Sequence, residues 1–126
     1  MILTDTSILI DYFRKNDKAI AFVKNNGKEN LAINTVIAME LYQRALNKAE
    51  FLKIQKELNG FFMLPISSQI SNLALQLSQK YALSHDIGLS DTFIASTALI
   101  YDIELRTLNI KDFQFIENIK VSNSLT

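Results

Sequence analysis

A chain of 126 residues that is 48% hydrophobic falls in the size range of one compact domain and can build a core without a metal or disulfide staple. The absence of cysteine excludes a disulfide framework and any thiolate site for zinc or iron. Thirteen basic residues balance thirteen acidic ones, so a protein that grips nucleic acid by general phosphate neutralisation is not expected, and any such role must rest on a local site or a partner's charge.

The first residues lack the basic and long apolar stretches of a secretion signal. No apolar run approaches the roughly 20 residues that span a bilayer. The expectation is one soluble, intracellular domain over residues 1–126 with no membrane segment.

Ile2 to Thr4 is a short β-friendly run. Ser7 to Phe13, with Ile8, Leu9, Ile10, Tyr12 and Phe13, predicts a first helix, and Lys18 to Lys24 a second that Asn26-Gly27 ends. Leu31 to Ile33 reads as a strand. Asn34 and Thr35 then offer caps for a helix running to about Asn47, and Ala49 to Leu58 continues as another helix, stopped by Asn59-Gly60. Phe61 to Leu64 is a third strand closed by Pro65.

Ser67 or Ser68 caps the next helix, with Ile70, Leu73, Ala74, Leu77 and Tyr81 at helical spacing. Ser90 is the expected cap of a further helix whose buried stripe is Phe93, Ile94, Thr97, Ala98 and Tyr101. Ile103 to Thr107 reads as a fourth strand, Ile110 to Phe115 as a short helix and Ile119 to Ser122 as a last strand. Strands alternating with helices predict an α/β fold with a mainly parallel central sheet. Ligands of such sheets bind beyond the carboxyl ends of the strands.

Four positions fall at those ends or on the helices that leave them. Asp5 follows the first strand, where it either faces the crevice or caps the next helix. Glu40 borders an apolar helical stripe: it needs a partner or metal if buried, or pairs with Arg44 one turn on if exposed. Asp91 opens a helix whose dipole favours a carboxylate with or without a function. Asn109 follows the fourth strand with Thr107 and Asp112 close by, in what is otherwise a polar turn.

Taken together, Asp5, Glu40 and Asp91 form an ordered acidic set. Carboxylates drawn together repel and need a cation or a proton. Oxygen-only donors select hard ions such as Mg2+ or Mn2+, which promote phosphodiester hydrolysis.

His85 is the only histidine. No Gly-x-Ser-x-Gly elbow accompanies it, so a solvated loop residue is the better reading. No glycine-rich phosphate loop is present either. A haloacid-dehalogenase-type phosphatase also places Asp after its first strand, but Ser7 stands where that class has its second Asp. Lys48, Lys53 and Lys56 alternate with glutamates and read as a solvated helical face.

The opening Ile-Leu-Thr-Asp-Thr-Ser-Ile-Leu-Ile-Asp-Tyr-Phe resembles the start of PIN domains of the VapC toxin type. Ile-Gly-Leu-Ser-Asp-Thr-Phe-Ile-Ala-Ser-Thr-Ala-Leu is similar to that family's helix with its third acidic residue. Leu-Arg-Thr-Leu-Asn-Ile-Lys-Asp-Phe resembles its closing turn, and Glu40 falls on its helical glutamate. The matches run in family order over almost the whole chain.

The resemblance implies a three-layer α/β/α PIN-like fold and a cytoplasmic Mg2+- or Mn2+-dependent endoribonuclease acting on RNA. It also implies a VapB-like antitoxin as partner, a segment of which lies over the acidic groove, and a homodimer. By position, Asp5, Glu40 and Asp91 would hold the metal. Asn109 stands at the fourth position, where relatives have aspartate, and Asp112 either substitutes as a ligand through water or caps the short helix. Asp11 and Asp86 are assigned outer or structural roles. A rival expectation is a PIN-like protein-interaction module that has lost catalysis with its fourth carboxylate.

Overall fold

The computed structural model describes all 126 residues. The strands are β1 (Ile2–Thr4), β2 (Leu31–Asn34), β3 (Phe62–Leu64), β4 (Glu104–Arg106) and β5 (Val121–Ser122). The helices are α1 (Thr6–Phe13), α2 (Asp17–Asn26), α3 (Thr35–Gln43), α4 (Lys48–Leu58), α5 (Ser68–His85) and α6 (Leu89–Tyr101).

The strands form one sheet in the order β3-β2-β1-β4-β5, and every pairing is parallel. The expected mainly parallel sheet is wholly so. All four residues of β2 are buried, as a strand covered on both faces requires. The order runs outward from β1 in both directions, so right-handed crossovers carry the connecting helices to opposite faces. It also makes the boundary between β1 and β4 the topological switch point, where a crevice opens at the strand ends. Leu3, Leu31, Ile33 and Leu105 have no exposed surface and, with Ile8, Leu9, Phe22 and Ile94, form the centre of the core.

Several boundaries differ from those expected. α3 ends at Gln43 rather than near Asn47, and the Asn47 side chain instead caps α4 by accepting from the Glu50 N–H at 2.9 Å. Ser90 is not a cap. Gly88 holds that position in extended backbone, and Ser90 lies in the first turn of α6.

The buried part of α6 is continuous from Ile94 to Ala98, whereas Phe93 is only half-buried and Tyr101 is exposed. Packing against both α5 and α3 explains this: small Ala95, Ser96 and Ala98 allow close approach on two sides, a pattern that a single stripe does not describe. The short helix expected over Ile110 to Phe115 is one 3-10 turn, Ile110–Asp112. No helix is long and apolar enough to cross a membrane.

Candidate active site

Asp5 leaves the carboxyl end of β1 and stays attached to the sheet, its N–H donating to the Arg106 carbonyl of β4 at 3.0 Å. Its side chain makes no capping hydrogen bond to α1. Instead one carboxylate oxygen, Oδ2, accepts from the Thr107 hydroxyl at 2.7 Å and from the Ser7 hydroxyl at 2.8 Å. The residue is only 5% exposed. Burial pushes its carboxyl above the ordinary range, and the Thr107 and Ser7 hydroxyls pull against that shift.

The same two hydroxyls tie down the turn after β4. Ser7 Oγ accepts from the Leu108 N–H at 3.1 Å, and Thr107 Oγ1 accepts from the Asn109 N–H at 3.0 Å.

Glu40, on α3, is half-buried. Its Oε1 accepts from the Thr6 hydroxyl at 2.7 Å. The alternative pairing with Arg44 does not form: the four ion pairs of the chain lie elsewhere. α3 is itself anchored by Asn34, whose side chain accepts from the Ile37 N–H at 2.8 Å and donates to Thr97 Oγ1 of α6 at 3.0 Å. One buried amide thus couples the helix carrying Glu40 to the helix carrying Asp91.

Asp91 sits half-buried in the first turn of α6. Its carboxyl is pushed up to about 7, first by burial and then by the negative charges of Asp5, Asp112 and Glu40. The helix N-terminus works in the opposite direction.

Asp5, Glu40, Asp91 and Asn109 line one polar cavity of about 310 Å³ at the switch point, together with Thr6, Ser7, Ile10, Gln43 and Arg44. Asp112 is exposed and does not line it, although its charge reaches Asp91. Asn109 lies on the rim and is exposed. As placed, the acidic side chains form no closed group of three at metal-holding distance.

Their chemistry nevertheless suits a hard cation, because every donor is oxygen. The carboxyls of Asp5 and Asp91 carry a desolvation burden that a positive charge would offset.

A PIN-domain model matches residues 2–116. The chain belongs to the PIN-domain family. This PIN domain is 34% identical over 122 residues to Ribonuclease VapC10 of Mycobacterium tuberculosis, covering 95% of the chain and 91% of that protein. It is 33% identical over 117 residues to Ribonuclease VapC1 of Methanocaldococcus jannaschii, covering 90% and 79% respectively. Among solved structures, it superposes on a chain of a toxin-antitoxin complex from Klebsiella pneumoniae with a TM-score of 0.81, at 28% identity, over 100% of this chain and 98% of that one.

Other residues singled out from the sequence lie apart from the PIN-domain cavity. His85 is exposed, stacks on the Phe115 ring at 4.1 Å between centroids and shares a hydrogen bond with Ser84 at 2.8 Å. Asp86 is the left-handed cap of α5. Asp11 is half-buried and does not line the acidic cavity.

Sequence reasoning gave no role to Thr6, Ser7, Gln43 or Arg44 as cavity residues. For Thr6 and Ser7 a signal existed, since two hydroxyl residues follow a strand-end aspartate. Gln43 and Arg44 depend on where α3 ends, and the sequence pattern carries that helix on toward Asn47.

Proposed function

We propose that this PIN domain is a divalent-metal-dependent endoribonuclease, the toxin of a toxin–antitoxin pair. The observation that carries this reading is the convergence of Asp5, Glu40 and Asp91 on one cavity at the switch point, with Asp91 pushed up to about 7. The ribonuclease names of its relatives support the substrate class. The toxin–antitoxin complex among its structural neighbours supports a small antitoxin as partner.

In this reading Asp5, Glu40 and Asp91 would hold Mg2+ or Mn2+, with Asn109 offering a neutral amide oxygen at the rim. When bound, such an ion supplies charge neutralisation at the scissile phosphate and a more acidic attacking water. The chain's own groups do the remaining work. Thr107 and Ser7 fix one oxygen of Asp5, and Thr6 fixes one oxygen of Glu40. These hydroxyls orient both carboxylates at the cavity that they line. Without an ion the Asp91 carboxyl is pushed up to about 7 by burial and by neighbouring negative charge, a burden that a bound cation would offset.

The test is RNA cleavage by purified protein with Mg2+ or Mn2+. Asp5→Asn and Asp91→Asn each abolish cleavage while the circular dichroism spectrum stays that of the wild type. Equal cleavage by either variant refutes the site.

A second reading, a PIN-like interaction module without catalysis, draws on the neutral Asn109 and on the open spacing of the carboxylates. A protein that binds neither Mg2+ nor Mn2+ under saturating conditions would favour it.

A further inference from the structure

The acidic cavity presents an electrostatic difficulty to a polyanionic substrate. It clusters carboxylates where a phosphate must arrive, in a chain with no net charge. A second cavity of about 600 Å³ opens beside it between α1, α3 and α4, sharing Ile10, Gln43 and Arg44 with the first. Its charged lining is Arg14, Arg44, Lys53 and Glu50.

Glu50 is already engaged, accepting from the Leu46 N–H at 2.8 Å. The three cations are exposed and belong to none of the chain's ion pairs. Apolar surface lies among them, including half-buried Phe13 and Leu46 with 87% of its surface exposed.

We propose that Arg44 is a substrate-positioning residue: it holds an RNA phosphate next to the acidic cavity and leads the strand into the neighbouring one. There, Arg14 and Lys53 meet further phosphates while a base rests on the apolar wall. This proposal rests on the ribonuclease reading above and adds the path of the strand. Its basis is continuity, because Arg44 is the one charged residue of the basic cavity that also lines the acidic one.

Cations following a backbone beside apolar or aromatic surface are what single-stranded nucleic acid requires. Arg44 is also the C-terminal cap residue of α3, where the helix dipole favours a cation. That benefit does not require the side chain to line either cavity.

The test uses steady-state cleavage of a mixed-sequence single-stranded oligoribonucleotide with Mn2+, comparing wild type with Arg44→Ala, Arg44→Lys and Lys53→Ala. Arg44→Ala is expected to raise KM about tenfold, the scale of a lost charge-assisted hydrogen bond, with a smaller change in kcat. Arg44→Lys recovers part of the loss.

The dependence of log(kcat/KM) on log[salt] flattens by about 0.7 for each cation removed. Mn2+-induced thermal stabilisation in Arg44→Ala is at least that of the wild type, because a cation has been removed from the lining of the acidic cavity, and this separates the effect from damage to the acidic site. Unchanged KM and salt slope in Arg44→Ala, beside an active wild type, overturn the proposal and leave the basic cavity to an acidic peptide partner. An inactive wild type refutes the ribonuclease reading first, and this proposal with it.

Discussion

The Thr107 hydroxyl donates to Asp5 Oδ2 at 2.7 Å across 102 positions of sequence, and its own oxygen accepts from the Asn109 N–H at 3.0 Å. One hydroxyl therefore joins the ends of β1 and β4 and sets the turn on the far side of the cavity. Thr107 has no exposed surface. Thr107→Val keeps the shape but leaves a buried carboxylate oxygen and an amide short of a partner, a loss of about 1–3 kcal/mol. Urea unfolding measures it, and Thr107→Ser restores most of the stability.

Thr6 orients Glu40 through the only hydrogen bond that Glu40 accepts. Partners that orient ligands in this way typically contribute 10–100-fold in metal affinity or activity. Thr6→Val is expected to lower RNA cleavage by about that factor with little change in urea midpoint, and Thr6→Ser to retain most of the activity. A loss of stability as large as the loss of activity would make Thr6 a packing residue only.

Asn34 links the helices of Glu40 and Asp91 from a fully buried position. Asn34→Ala removes an N-cap, a loss of about 0.5–2 kcal/mol, and also strips Thr97 Oγ1 of its bond from the amide. The expected outcome is a lower unfolding midpoint together with weaker Mn2+ binding. Thr97→Val is expected to share both effects: the cap from Asn34 to Ile37 is left in place, but the fully buried Asn34 amide loses its 3.0 Å partner, a loss of about 1–3 kcal/mol.

Asp91 gives a pH signature. Its carboxyl titrates at about 7 in the folded protein against 3.8 for the free side chain, so the folded state holds the proton more tightly. The stability from that proton is fully present below the unfolded value and is lost as pH rises through about 7. In EDTA the wild type therefore loses stability between about pH 4 and pH 8. Asp5, also raised, contributes in the same direction. Asp91→Asn flattens the profile and is the more stable protein at pH 8 without metal. A wild-type profile that rises over this window faster than that of Asp91→Asn contradicts the assignment.

Much of this architecture was legible because the signals were local. Asp5 after an apolar strand, Asn34 before a helix and the helical spacing of Ile70, Ala74, Leu77 and Tyr81 each report on one element. What was not legible depended on neighbours. From Thr35 to Leu58 there is no glycine or proline, so no breaker marks the turn after Gln43; the one local sign is Asn47 with Glu50 three residues on, a helix start, and the place of Arg44 on the cavity goes with it.

The buried, nearly continuous interior of α6 reflects two packing partners rather than one face. Asp112 shows what a motif leaves open. Its place in the motif suggested a ligand, yet the 3-10 turn leaves it exposed and off the cavity, acting on Asp91 through its charge.

The central claim is joint possession of a divalent ion by three carboxylates far apart in sequence. Calorimetric titration of Mn2+ into wild type, Asp5→Asn, Glu40→Gln and Asp91→Asn at pH 7.5 tests it most directly. Saturable binding by the wild type is expected, with binding at least tenfold weaker in every variant. Variants that bind as the wild type does, or a wild type that shows no saturable binding, would contradict it.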